Sequence, residues 1–400
     1  MRILITFGTR PEALKLVPLI LAAKNDRCIE TIVCTTGQHR EIVEQVNQLF
    51  GIVPDYDLGI MQPGQTLHEL TARVLVNMSP ILEVTKPDWL IVQGDTTTVM
   101  AASLLAFYHR IKVGHVEAGL RTEDKFQPFP EEINRRIASV IADLHFAPTA
   151  RAQKNLLREG ISAKNIVVTG NTIIDTIKLI ASKPYDLRNS VLKNIPFDRK
   201  LVLITAHRRE NFGRPLMEIC AAIKELTNIF RADLHFVYPV HPNPNVHDVV
   251  YRELGNNPGI TLLPPIDYES LVFLLQKAEL VLTDSGGIQE EAPTFGVKVL
   301  IMRETTERPE GVEAGLAKLV GTNSEKIIAE VKAGLKEREL GQKLLIENPY
   351  GDGQASSRIL RALKGELSGE DIEMNGPLAT SRQAIVMSDS QFMQPESFSR

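Results

Sequence analysis

The chain has 400 residues, 43% of them apolar and 24% charged, with a formal net charge of −4. That length exceeds one comfortable hydrophobic core and predicts two domains of ordinary globular composition, while the acidic balance argues against a nucleic-acid or anionic-membrane surface. Cys28, Cys34 and Cys220 make neither a CxxC pair nor an even-numbered framework, which argues against a disulfide scaffold or structural zinc and for reduced thiols in the cytoplasm.

From the N-terminus, Met1-Arg2 lead straight into an apolar strand too short for a signal peptide, and no apolar stretch approaches membrane-spanning length. Strands are predicted at 3–7, 31–35, 89–92, 113–116 and 145–147, several of them separated by helix-length segments. This alternation is βαβ grammar and predicts an α/β fold with a parallel sheet covered on both faces. A second series follows at 201–205, 234–238, 262–263, 280–283 and 299–301, so two doubly wound halves are expected. The boundary is placed near Val168, giving domains 1–168 and 169–348, with a polar stretch over 184–200 delaying the second half's first strand. Residues 324–345 carry Ile327, Ile328, Val331 and Leu335 on one helical stripe and charges elsewhere, which reads as a helix with a solvated face. The segment 348–353 breaks it, another helix starts within 349–365, and 366–400 lacks any period and reads as a disordered tail.

In open parallel sheets ligands sit beyond the carboxyl ends of the strands, so polar residues directly after apolar runs draw attention. In the first half these are Gly8-Thr9-Arg10-Pro11-Glu12 with Lys15 a turn later, Gln93-Gly94-Asp95-Thr96-Thr97-Thr98, and Glu117-Ala118-Gly119-Leu120-Arg121-Thr122. In the second they are His207-Arg208-Arg209-Glu210, His241, and Asp284-Ser285-Gly286-Gly287-Ile288-Gln289-Glu290-Glu291. Each admits a structural reading: Asp95 as a helix cap, His207 as a core histidine, Glu131-Glu132 as acidic residues opening a helix. His241 and His247 fall outside metal-ligand spacings, so no metal is predicted. Coincidence across six strand ends favours a ligand site.

The last of these turns suggests the ligand. Two glycines let the backbone approach closely, the free N–H groups of the next helical turn attract a diphosphate, and Glu291 one turn in can accept hydrogen bonds from a ribose. The arginine pairs Arg135-Arg136 and Arg208-Arg209 suit a small anion. No G-x-G-x-x-G follows an early strand and no P-loop lysine motif occurs, so cofactor-free chemistry on a nucleotide sugar is expected: glycosyl transfer, hydrolysis, or elimination and re-addition. The several separate carboxylates suit the last, which needs acid/base groups at two sugar carbons.

Over residues 1–363 the chain resembles the non-hydrolysing UDP-N-acetylglucosamine 2-epimerases, in the segments above together with His115-Val116-Glu117, Pro130-Glu131-Glu132-Ile133-Asn134-Arg135 and His207-Arg208-Arg209-Glu210-Asn211-Phe212-Gly213. The resemblance implies a GT-B arrangement of two Rossmann-like domains across a cleft, with the last helix returning to the first domain. It implies interconversion of UDP-GlcNAc and UDP-ManNAc by loss of UDP to 2-acetamidoglucal and re-addition, with no cofactor, in a cytoplasmic homodimer supplying envelope or capsule polysaccharide. Catalytic residues so implied are Asp95, Glu117, Glu131 and His207. Asp95 is taken for proton exchange at the second carbon, Glu117 and Glu131 for its acid/base partners, and His207 for a place beside the diphosphate. Arg10, Lys15, Arg135, Arg208, Ser285, Gly286, Gly287 and Glu291 are expected to bind substrate. Gln38, His39 and His241 match an activating second UDP-GlcNAc site. Glu41 and Gly64 stand where other members can have a glutamine and an arginine, so weakened or altered activation is expected. A glycosyltransferase, a hydrolysing epimerase and a nucleotide-sugar-binding regulator are the alternatives.

Overall fold

The computed structural model describes residues 1–37, 40–62, 64–339 and 347–367; Gln38 and His39, the side chain of Glu41, and all of the tail segment from 368 onward lie outside the described residues. Strands β1 (Arg2–Phe7), β2 (Glu30–Thr35), β3 (Tyr56–Asp57), β4 (Trp89–Gln93), β5 (Lys112–Val116), β6 (Leu144–Ala147) and β7 (Ile166–Val168) form a parallel sheet in the order β3-β2-β1-β4-β5-β6-β7. Strands β8 (Lys200–Thr205), β9 (Leu234–Pro239), β10 (Ile260–Leu263), β11 (Ala278–Thr283), β12 (Lys298–Ile301) and β13 (Ala317–Leu319) form a second, in the order β10-β9-β8-β11-β12-β13. The two Rossmann-like sheets expected from the alternation are present. Of the segment 166–171 that sequence places between the two halves, 166–168 forms the last strand of the first sheet.

The strands read as unbroken apolar runs because helices bury them on both faces, and successive side chains go to opposite sides. Leu4 and Leu90 pack towards helices Leu67–Thr85 and Thr97–Tyr108, whereas Ile3, Ile5 and Ile91 face helix Arg10–Lys24. The second sheet repeats this: Val202, Ile204, Leu280 and Leu282 join one cluster with helix Arg214–Ile229, and Leu201, Leu203 and Val281 join another. That other cluster is the one containing Ile3 and Ile5. Helices Arg10–Lys24, Thr172–Ala181 and Tyr268–Lys277 fuse the inner faces of both sheets into one core, to which helix Ala355–Leu363 adds Ile359, Leu360 and Leu363. Asp175 holds that last helix by accepting hydrogen bonds from Ala355 N (3.2 Å) and Ser356 N (2.8 Å).

Both strand orders reverse direction once, between β1 and β4 and between β8 and β11. Ahead of such a reversal the connecting helices diverge to opposite faces and leave a crevice at the carboxyl ends of the strands. The strand-end segments 8–12, 94–98, 207–210 and 284–287 follow these four strands. Among the described residues no helix is long and apolar enough to cross a membrane, and no group of His, Cys, Asp and Glu could hold a metal ion.

Candidate active site

Beyond the first sheet, three turns are tied together by buried carboxylates. Helix Arg10–Lys24 opens after β1 with Pro in its first turn, and Glu12 reaches back to accept from Gly8 N (2.9 Å) and Thr9 N (2.7 Å). Its other oxygen accepts from Thr96 Oγ1 (2.6 Å) beside Asp95, so Glu12 joins the β1 and β4 turns; burial pushes its carboxyl above the ordinary range despite these donors. The Asp95 carboxylate pairs with Arg135, and its carbonyl accepts from Asn134 Nδ2 (3.0 Å). Both partners come from helix Glu131–Ile141, whose first residue is the half-buried Glu131. Glu132, fully buried, accepts from Arg135 Nη1 (3.2 Å) and Arg136 Nε (2.9 Å) and braces that arginine pair. His115 Nε2 donates to Gly94 O (2.7 Å); burial pulls this imidazole down to about 4, so it is neutral and leaves the Gly94 turn fixed at neutral pH.

Glu117 follows β5 at φ +64°, a left-handed conformation that costs a non-glycine residue on the order of 1–3 kcal/mol and is held only where surroundings over-determine it. The next turn residue but one is Gly119 at φ +92°, where a Cβ would lie 2.3 Å from Ala152 O, so a glycine is required. Glu117 accepts from Lys15 Nζ (2.5 Å), Asn171 Nδ2 (3.0 Å) and Gln93 Nε2 (2.5 Å). Burial alone would raise this carboxyl, but Lys15, Arg308 and Asn171 outweigh it and hold it below its ordinary value. Glu117 is therefore an ionised base candidate at neutral pH.

On the second sheet, Asp284 is the fixed point. Fully buried after β11, it accepts from His207 N (2.8 Å), Arg208 N (2.8 Å) and Asn211 Nδ2 (3.0 Å), so the β8 turn is shaped around it. Its other oxygen has no hydrogen-bond partner and lies 3.6 Å from His207 Nδ1. His207 stacks on His241 with ring centroids 5.5 Å apart. Burial depresses the His207 pKa; Asp284 opposes this, and His241 and Arg208 add to it. A neutral imidazole can move a proton in either direction.

A Cβ at Gly286 would lie 2.9 Å from Arg308 Nη1 and 3.4 Å from Arg208 Nη2. Two guanidinium groups thus converge where the backbone of the serine-glycine turn is bare, which is the arrangement a diphosphate needs. Behind them Arg308 Nε donates to Glu290 Oε1 (2.6 Å), and Glu290 Oε2 accepts from Asn171 Nδ2 (3.2 Å). One path therefore runs Lys15, Glu117, Asn171, Glu290, Arg308, from the first sheet to the second. Glu291 accepts from Tyr268 Oη (3.0 Å); burial pushes its carboxyl up to about 7, with Glu290 adding to this while Tyr268, Lys15 and Arg10 oppose it.

The structure thus gathers Lys15 with Glu117, Asp95 with Arg135, and Arg208 with Gly286. It places Arg10 half-buried at the helix start, close enough to Glu291 to act on its charge. Ser285 and Gly287 flank the same turn. His241 is exposed, stacks on His207 and accepts from Asn243 N at Nδ1 (3.1 Å), and Gly64 lies on an exposed turn at φ +70°. Reasoning from sequence gave no role to Asn171, Asp284, Glu290 or Arg308. The strand-end rule reaches both Asn171, which follows the three-residue β7, and Arg308, in the loop after β12.

Residues 21–364 match the family model described as UDP-N-acetylglucosamine 2-epimerase. A UDP-N-acetylglucosamine 2-epimerase of Escherichia coli K12 is 52% identical over 371 residues, covering 91% of this chain and 98% of its own. Among solved structures, the UDP-GlcNAc 2-epimerase of Neisseria meningitidis bound to UDP-GlcNAc is similar with a TM-score of 0.81 and 45% identity, over 91% of this chain and 100% of that one. The Methanocaldococcus jannaschii UDP-GlcNAc 2-epimerase in complex with UDP-GlcNAc and UDP is similar at 0.75 and 36% identity, over 91% and 100%.

Proposed function

The chain belongs to the UDP-N-acetylglucosamine 2-epimerase family, and from that premise we propose that it interconverts UDP-GlcNAc and UDP-ManNAc by eliminating UDP and adding it back. The sugar's second carbon bears no proton made acidic by a neighbouring carbonyl, so direct enolisation is not available. Instead a base removes that proton as the anomeric C–O bond breaks; the electron pair of the C–H bond becomes the C1–C2 double bond of 2-acetamidoglucal and UDP leaves with the bonding pair. Re-addition returns a proton to C2 from the opposite face and re-forms the bond to UDP. The sequence is redox-neutral and calls for no external cofactor.

In this reading Asp95 exchanges the proton at C2, with Glu117 and Glu131 as acid/base partners. Charge accumulating on the departing diphosphate is met by Arg208, the Ser285-Gly286-Gly287 turn and Arg10, while His207 assists departure. Glu291 would accept from the ribose. Arg135 orients Asp95, and Lys15 sits between Glu117 and the diphosphate side. Holding UDP between the two half-reactions matters, because its escape strands the glucal. The observation that carries the proposal is that Glu117 and the Glu290–Arg308 pair beside Gly286 share one amide, Asn171, so an acid/base candidate and a diphosphate cradle belong to one site. We further propose a cytoplasmic homodimer whose product feeds envelope or capsule polysaccharide, domains divided near Val168, and an activating site at Gln38, His39 and His241 weakened by Glu41 and Gly64.

The test is proton NMR of the purified chain with UDP-GlcNAc in deuterated water, without acceptor or nicotinamide. UDP-ManNAc carrying deuterium at C2, with traces of 2-acetamidoglucal and UDP, is the expected outcome. Free ManNAc as main product would instead establish a hydrolase, and unchanged substrate would move the assignment to a transferase or a binding protein.

A further inference from the structure

Asn171 is 3% exposed, and both ends of its side-chain amide are hydrogen-bonded. Its Oδ1 accepts from Ile173 N (3.2 Å) and so caps helix Thr172–Ala181. Its Nδ2 donates to Glu117 Oε1 (3.0 Å), from the first sheet, and to Glu290 Oε2 (3.2 Å), from the second. The surroundings settle which end of the amide is which: one end meets a backbone N–H and must accept, and the other meets two carboxylates and must donate.

Two carboxylates brought to one point repel and would leave one of them protonated unless donors and cations intervene. Lys15 donates to Glu117 and Arg308 to Glu290, and each cation also acts on the other carboxylate's charge. Among the described residues the Asn171 amide is the group that hydrogen-bonds both carboxylates, and its two hydrogens match the two acceptors. We propose that Asn171 is a positioning residue that keeps Glu117 ionised and holds the Glu117 and Glu290 carboxylates in fixed rotamers across the two sheets, making the acid/base side and the diphosphate side one network. A helix cap alone would not require this residue. Asp and Ser cap as well as Asn does, whereas only an amide both caps and donates twice. Displacement of Glu290 by a departing or returning diphosphate on Arg308 then reaches Glu117 through a single side chain.

This inference rests on the epimerase reading, and Asn171→Asp tests it because that change keeps the cap and the volume while replacing both donors with a third carboxylate. Asn171→Ser is the companion, keeping a cap but too short to reach either glutamate. Full-length wild type and both variants are assayed for UDP-GlcNAc conversion across about pH 5 to 9, where acid and base limbs are read. Thermal melts and carbonyl-13C glutamate NMR accompany the assays, with Glu117→Gln assigning the Glu117 signal. In N171D we expect a near-wild-type melt and a fall in kcat of more than about tenfold, the scale of a mis-set acid/base group. Its acidic limb should move to higher pH and the Glu117 carboxyl should titrate higher than in wild type. N171S should lose rate with a smaller displacement of the limb in the same direction, because the donors are gone but no third carboxylate replaces them. A wild-type limb and a wild-type Glu117 titration in N171D, or rate losses that only follow melting temperature, would overturn the proposal. If wild type fails to epimerise while the Glu117 titration still shifts in N171D, the functional reading fails and the network stands.

Discussion

At the scale of single residues, the chemistry is decided by which carboxylates carry donors. Asp95 pairs with Arg135 and its proposed task is to take and return a proton, so Asp95→Asn, which keeps shape and loses basicity, should lower conversion by about 10²- to 10⁴-fold. Exchange of the C2 proton with deuterated water should fall in step; exchange persisting at the wild-type rate would assign that proton elsewhere. Glu291 gives a different prediction. Between its ordinary 4.5 and about 7 the folded chain holds a proton that the unfolded chain has released, so stability falls as pH rises through that window. The full effect is on the order of 3 kcal/mol. Glu291→Gln removes it, so the ligand-free variant should melt level with wild type near pH 4.5, progressively higher as pH rises to about 7, and by a constant margin above that, while binding UDP more weakly. Scanning calorimetry across pH reads the first effect, and titration with UDP the second. From sequence, polar positions close behind strands stand out, as Glu117 does behind β5, yet Asp284 directly behind β11 drew no role of its own. Contacts such as Asn171 to Glu290 join positions 119 apart and depend on how two sheets are set against each other, which no local spacing encodes.

At the scale of elements, the long strands were readable because burial on both faces leaves continuous apolar runs, and β1, β4 and β11 show this plainly. The edge strands β3 and β13 were not predicted; at two and three residues, with charged or exposed members, they carry no period to detect. Helix boundaries depend on partners as well as on sequence. Helix Ala355–Leu363 has no capping side chain of its own and takes its N-terminal partner from Asp175, 180 residues away. Asp175→Ala should therefore free that helix at a cost of about 1–2 kcal/mol, as for loss of an N-cap, and Asp175→Asn should cost less. Limited proteolysis near 350–367 should accelerate in the alanine variant while the sheets stay protected; unchanged cleavage would show that Ile359, Leu360 and Leu363 hold the helix without the cap.

At the scale of the whole molecule, the proposed activation by a second UDP-GlcNAc calls for cations aimed at an anionic ligand. Gly64 offers none, and Glu41 would add a like charge. Initial rates against UDP-GlcNAc concentration should accordingly follow a shallow, nearly hyperbolic curve, and UDP-ManNAc should turn over without added UDP-GlcNAc. Pronounced sigmoidicity would show that activation needs neither contact. The fused core has a bearing on how such molecules can be taken apart and recombined. A crossover between two relatives placed near residue 168 would look like a cut through a tether, yet it would send helix Arg10–Lys24 to one parent and helices Thr172–Ala181 and Tyr268–Lys277 to the other, splitting a single interdigitated set of side chains. Chimaeras should survive when those three helices share an ancestor and fail when they do not, so the heritable unit is the seam, not the half.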